Sequence, residues 1–292
     1  MKLLIALLVS FSAFAGELRF SPTLTDRTIS RVKGDHQATW PEQNANGLLV
    51  ISINGTGAEP HGLIPFGETI TALGFHKLSL DYHNGVIPTV CRHATNPSCY
   101  DFYQAELVFG EQVSYEINIA PQDSVYSRLI AAMEFLVRRD PTRWGHFWKN
   151  GEPNWEKIVL YGHSQGAGHA AYLAKRFAVK GVLLTGGPFG LMPRFGFAGW
   201  AHTPGATDPR DYRALLHQTD YFGVDEHITM TRLMLENTAA PIQYIQLAIP
   251  PRTNAQIFVG ERTERDGHNA IIIDPAYRAV WESILRSFIS TR

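Results

Sequence analysis

Short apolar runs and helix-spaced segments take turns along this chain, and that alternation constrains its fold more than any other feature. Residues 47–53 (GLLVISI), 77–82, 157–161 (KIVLY), 181–185 (GVLLT), 212–219 and 255–259 are brief apolar runs, several of them β-branched and closed by Gly or Asn. That is the pattern of strands buried on both faces. Between them, residues 64–73, 121–139, 165–178 and 275–289 carry apolar side chains three and four apart, the stripe of a helix with one buried face. Gly74 and Pro141 supply stops after the first two. Strand and helix in alternation predict βαβ units, hence a mostly parallel central sheet flanked by helices. Residues 242–249 fit either a further strand or part of a helix. Segment 189–211 has no clear period and breaks the rhythm after the strand at 181–185. It predicts an irregular, cap-like insert over the carboxyl edge of the sheet, where ligand sites form in such folds. Its Phe189, Phe195, Phe197 and Trp200 suggest an apolar wall for an acyl or aromatic group.

Composition excludes whole classes of function. With 45% hydrophobic residues the chain can build a core, and 26 basic against 27 acidic residues leave a formal charge of −1. Such a balance sets up no field for nucleic acid or an anionic membrane surface. No apolar run is long enough to span a bilayer, so no stable membrane anchor is expected. The N-terminus reads as an address: Lys2, then an apolar stretch from Leu3 to Phe11, then Ala13-Phe14-Ala15. These are the three parts of a signal peptide over residues 1–15, with cleavage after Ala15 and a secreted or periplasmic product. Residues 16–292 then form a single α/β domain. Export bears on the two cysteines, Cys91 and Cys99, which enclose an Asn96-Pro97 turn signal. Either they form a local disulfide, as an oxidising compartment permits, or they are two buried thiols. Nothing in the pattern fixes an oligomeric state.

Chemistry is concentrated at Gly162-His163-Ser164-Gln165-Gly166, between the strand at 157–161 and an Ala-rich helix. A serine at such a junction is forced into a strained, protruding conformation, and it needs small neighbours on both sides, here Gly162 and Gly166. The helix that follows presents free N–H groups and the positive end of its dipole, which favour developing negative charge. The histidines show no H-E-x-x-H or similar ligand spacing, so neither a metal nor another cofactor is implied.

The tract Val159-Leu-Tyr-Gly-His-Ser-Gln-Gly-Ala-Gly168 resembles the nucleophile elbow of the α/β-hydrolase superfamily, and the chain is similar to secreted bacterial esterase- and lipase-like members. The resemblance implies an α/β-hydrolase fold and a triad in the chain order Ser, acid, His. Ser164 would be the nucleophile. His268, after the last strand, would be the base, with His163 adjacent but pointing away. Asp220, at the end of the strand at 212–219, would be the acid, with Asp225 its closest competitor. His169 and His217 read as packing residues, and Asp266 as a turn former. The oxyanion would be met by the backbone N–H of Gln165 and by one from Thr56 or Gly57, in the loop after the strand at 47–53. The implied activity is hydrolysis of a small-molecule or acyl ester without a cofactor. Thioester, amide and polyester hydrolysis remain alternatives, as does a non-catalytic binding protein on the same fold.

Overall fold

The computed structural model describes residues 15–60, 65–245, 255–261 and 265–290. The expected leader, but for Ala15, lies outside them. Nine strands form the central sheet: β1 (Ala15–Phe20), β2 (His36–Pro41), β3 (Leu49–Ile53), β4 (His76–Leu80), β5 (Ile158–His163), β6 (Gly181–Thr185), β7 (Tyr212–His217), β8 (Ile242–Ile245) and β9 (Ile257–Gly260). Their spatial order is β1-β2-β4-β3-β5-β6-β7-β9-β8. Only β2 runs against its neighbours; every other adjacent pair is parallel. Residues 242–245 are therefore strand, lying on the sheet's edge, and β9 inserts between them and β7.

Among the described residues seven α-helices of seven residues or more flank the sheet: α1 (Pro65–Ala72), α2 (Cys99–Phe109), α3 (Val125–Arg139), α4 (Gln165–Arg176), α5 (Val224–Met234), α6 (Gly267–Ile273) and α7 (Arg278–Ser290). Strand alternation divides the core into two layers. Ile51, Leu160 and Leu184 point to the side packed by Tyr103 of α2, Met133 of α3 and Leu173 of α4. Val50, Val159 and Leu183 point to the other, against Phe66 of α1 and Trp281 and Ile284 of α7. Each such fully buried aliphatic contributes roughly 1.5–3 kcal/mol. Both faces being covered is why these strands read as continuous apolar runs.

Four elements had no such signature. In β2, His36, Gln37 and Thr39 are polar yet buried, so no apolar run marks the strand, and β1 is its half-exposed antiparallel partner. Helix α2 buries Tyr100 and Tyr103 beside Gln104 and Glu106, so polar and apolar residues share its covered faces and the amphipathic stripe vanishes. Glu226, His227 and Thr231 of α5 are buried for the same reason. Segment 189–211 contains a two-stranded hairpin (Leu191–Met192 with Gly196–Phe197) and a short helix (Gly199–His202). It is tied to α2 through Asp101, which accepts from the backbone N–H groups of Gly199 and Trp200 at 3.1 and 2.6 Å.

The chain leaves β3 for β4 on one side, then crosses to β5 on the other. That reversal opens a crevice above the carboxyl ends of β3 and β5, the place where open parallel sheets bind ligands.

Candidate active site

Ser164 stands in that crevice, between the end of β5 and the start of α4. Its backbone sits at φ +56° and ψ −120°, in the left-handed half of conformational space. Its N–H is anchored to Thr185 O of the neighbouring strand at 2.8 Å. The flanking glycines have a steric reason. A Cβ on Gly162 would lie 2.1 Å from Gly166 O, and one on Gly166 would lie 2.0 Å from Ile53 O. Helix and strand meet backbone to backbone here, and no side chain fits between them.

His268 lies in the first turn of α6, whose N-cap Asp266 accepts from Asn269 N at 3.1 Å. Asp220 follows β7 in a tight turn closed by Asp220 N to His217 O and Gly223 N to Asp220 O, both 3.1 Å. Because β7 and β9 are neighbours, the segments after them meet, and His268 Nδ1 lies 2.7 Å from Asp220 Oδ2. A carboxylate only accepts, so Nδ1–H donates and Nε2 of the neutral ring keeps its lone pair. The other carboxylate oxygen accepts from Phe222 N at 2.9 Å. Burial pushes the Asp220 carboxyl up, but the adjoining imidazoles of His227 and His268, the latter hydrogen-bonded to it, outweigh burial and hold the group well below the usual range. Rings of Tyr221, Phe222 and His163 stand 5.0–5.1 Å from the His268 ring and hold it in place.

Ser164 and His268 line one cavity of about 510 Å³. Among the described residues no hydrogen bond joins Ser164 Oγ to His268, a looseness common before substrate is bound. Asp225 is exposed in the first turn of α5 and has no hydrogen bond or ion pair with His268; the carboxylate that meets it is that of Asp220.

The loop after β3 faces the nucleophile. A Cβ on Gly55 would lie 3.1 Å from the Ser164 Cβ, and Asn84 Nδ2 pins the loop through Gly55 O and Ala58 O at 2.8 and 2.7 Å. Gly57 is not an oxyanion donor: its N–H is spent on Asn84 O at 3.0 Å. The Thr56 hydroxyl donates to Gln165 Oε1 at 2.7 Å, and Gln165 Nε2 donates to Tyr103 Oη at 2.9 Å. This chain fixes Gln165, whose N–H belongs to the first turn of α4 and has no partner within the helix.

Other expectations change. His163 does not point away: it lines the cavity, with Nδ1 3.1 Å from Thr185 Oγ1 and Nε2 3.2 Å from Asn269 Oδ1. None of Phe189, Phe195, Phe197 or Trp200 lines the cavity; Phe189 and Trp200 are core residues. The apolar lining comes instead from Phe66 and Ile70 of α1, Ile87 beyond β4, Tyr221 and Phe222 in the turn after β7, and Ile272 and Ile273 of α6. It comes from segments distant in sequence, which no local pattern reveals. His169 is buried against Gln104 Oε1 at 2.7 Å, and His217 is wholly buried in β7. Cys91 and Cys99 are joined in a disulfide, Cα to Cα 5.5 Å. His227 of α5, with no sequence signal at all, places Nε2 3.6 Å from Asp220 Oδ2 while Nδ1 donates to Pro188 O at 3.1 Å. Among the described residues no group of three His, Cys, Asp or Glu side chains is arranged to hold a metal ion.

Sheet order, reversed second strand and elbow together give the chain an α/β-hydrolase fold. Among solved structures, TT1662 from Thermus thermophilus matches with a TM-score of 0.50 at 17% identity, over 96% of this chain and 100% of that one. A Klebsiella pneumoniae protein described as a candidate dienelactone hydrolase matches with a TM-score of 0.44 at 11% identity, over 95% of this chain and 100% of that one. A cold-adapted esterase from an Arctic intertidal metagenomic library matches with a TM-score of 0.44 at 15% identity, over 92% of each chain. At 17% identity the likeness to TT1662 is one of fold alone. No protein-family model matches the sequence, and no curated protein does.

Proposed function

We propose that the protein is a serine hydrolase of carboxylic esters that works through an acyl-enzyme. One observation carries the reading: a histidine held by a buried carboxylate at 2.7 Å shares a cavity with a serine on a strained strand-to-helix turn. Ser164 Oγ attacks the ester carbonyl and gives its proton to His268 Nε2. Asp220 keeps the imidazole in the tautomer that can accept it and stabilises the imidazolium that forms. The tetrahedral oxyanion is met by the N–H groups of Gln165 and Thr56, each such donor being worth about 3–4 kcal/mol in the transition state. His268 then protonates the leaving alkoxide, and the alcohol departs. Water, deprotonated by His268, attacks the acyl-Ser164 carbonyl and releases the acid. No cofactor enters.

The choice of ester is tested by a panel of 4-nitrophenyl esters of graded chain length beside thioesters and anilides. Ester turnover that falls about 10³-fold or more in Ser164→Ala is the expected result. Turnover of anilides or thioesters alone would replace the substrate class, and no turnover of any of them would favour a binding protein. We also propose export, supported by the leader pattern and by the closed disulfide, which suits an oxidising compartment. The mature chain is then expected to begin at Gly16, as N-terminal mass mapping of exported protein would read.

A further inference from the structure

One oxygen of the Asp220 carboxylate has two imidazoles beside it. Asp220 Oδ2 lies 2.7 Å from His268 Nδ1 and 3.6 Å from His227 Nε2, while Oδ1 accepts from Phe222 N. The side chains of His227 and Asp220 are both wholly buried. At the other nitrogen of the His227 ring, Nδ1 lies 3.1 Å from Pro188 O. A carbonyl only accepts, so Nδ1 carries a proton. The charge of the ring is then decided at Nε2, which makes no hydrogen bond. In the neutral tautomer its lone pair would lie near a carboxylate oxygen with no water to separate them, two acceptors buried side by side. In the imidazolium the same nitrogen brings an N–H and a positive charge to that oxygen. Ester hydrolysis by the triad uses one histidine and leaves this second ring without a part.

We propose that His227 is a positioning residue for the triad acid: held as an imidazolium between Pro188 O and Asp220 Oδ2, it fixes the carboxylate and offsets its charge, so that the base stays unprotonated into mildly acidic pH. The proposal rests on the ester-hydrolase reading and deepens it. A buried carboxylate with no other counter-charge draws a proton onto the imidazole beside it, and a cation on the same oxygen weakens that pull. The charges around His227 are engaged elsewhere or stand apart from it. Glu226, its neighbour on α5, accepts from Gly190 N and Leu191 N at 3.2 and 3.1 Å and pairs with Arg92. Asp225 of α5 is exposed, as is His202 of the short helix packed on α5. In β7, Arg213 and His217 share the face of Leu215, opposite the face of Ala214 and Leu216 that packs with Ile228 and Met230 of α5. Tyr212 on that face and Tyr100 beside Glu226 are phenols that burial keeps neutral. Around His268 the titratable neighbours are His163, Tyr221 and Asp266, of which Tyr221 and Asp266 are exposed. Phe189 meets the His227 ring edge-on at 4.9 Å and adds no charge.

Two measurements on the full chain test the proposal. The first is the pH profile of kcat/KM for the neutral ester that the wild type turns over best, whose acid limb reports protonation of the base. In His227→Gln, which keeps an N–H donor and loses the charge, that limb is expected to move up by about one pH unit. A ring that only packs predicts lower activity at every pH with the limb in place. The second needs no variant: nitrogen NMR of histidine-labelled wild-type protein at neutral pH, with the His227 ring assigned through its backbone. Both ring nitrogens of His227 are expected to carry protons. A limb that stays in place in His227→Gln, or a neutral His227 ring in the wild type, would overturn the proposal. Should His227→Gln not fold, the NMR result decides alone. Wild-type turnover separates the two failures: with it, only the part given to His227 is lost; without turnover of any ester, the hydrolase reading goes and the proposal with it.

Discussion

Ser164 holds a backbone conformation, φ +56° and ψ −120°, that few residues other than glycine adopt. Strain of this kind costs of order 1–3 kcal/mol and persists only where the surroundings impose it. Here they do, because strand and helix cross with glycines on both sides. Replacing Ser164 by glycine relieves the strain, whereas alanine keeps it. Ser164→Gly is therefore expected to melt at a higher temperature than Ser164→Ala by about 1–3 kcal/mol of stability, with neither variant turning over ester. Equal stabilities would show that the serine backbone is at ease. Ser164 is legible in sequence because its constraint is local: five residues, a strand before and a helix after. His227 is not, since it becomes notable only through the Asp220 carboxylate that the fold sets beside it. His163 shows the converse, a residue whose neighbour in sequence is known while its side chain's direction depends on Thr185 and Asn269.

Elements explain why the distant residues meet. The pairing of β7 with β9 brings the turn of Asp220 to the first turn of α6, and only then does His268 face a carboxylate. A linear reading contains the two strands but not their adjacency. The parallel strands themselves are legible because both faces are buried; β2 and α2 are not, because their buried residues are partly polar. The elbow is the tightest junction between elements, and small additions there should be felt. Gly166→Ala puts a Cβ 2.0 Å from Ile53 O, forcing α4 off β3. A loss of about 1–3 kcal/mol or more is expected in urea unfolding, together with lower activity as Gln165 N–H and Ser164 shift. Gly145→Ala, whose Cβ would meet nothing within 4 Å, serves as the control. Indistinguishable unfolding midpoints for the two would contradict the close crossing.

Over the whole molecule, buried histidines couple stability to pH. Burial lowers His36 to about 3, with Arg128 adding to it, and His169 to about 3. Burial lowers His76 to about 4, with His146 and Arg143 adding to it. Each ring is neutral in the folded chain at pH values where the unfolded chain, with ordinary histidines near 6.5, is already protonated. The unfolded state thus binds up to about three more protons as pH falls from about 6.5 toward 4, and stability should fall by up to about 4 kcal/mol per pH unit across that window. Asp220 acts lower down. Its depressed pKa favours the fold above the ordinary carboxylate value, and that contribution fades only as pH drops further. Chemical denaturation at a series of pH values reads the slope; a flat profile between pH 6 and 4 would contradict burial of the neutral rings. The sequence announces none of this, because which of twelve histidines are buried is a property of packing.

The proposed chemistry stands on Ser164 being a nucleophile activated through His268 and Asp220. Treating the folded protein with a fluorophosphonate and mapping the adduct by peptide mass spectrometry tests it most directly. A single covalent adduct on Ser164 is expected, absent in Ser164→Ala and formed far more slowly in His268→Ala and Asp220→Asn. An adduct on another residue, or none on folded wild-type protein, would contradict it.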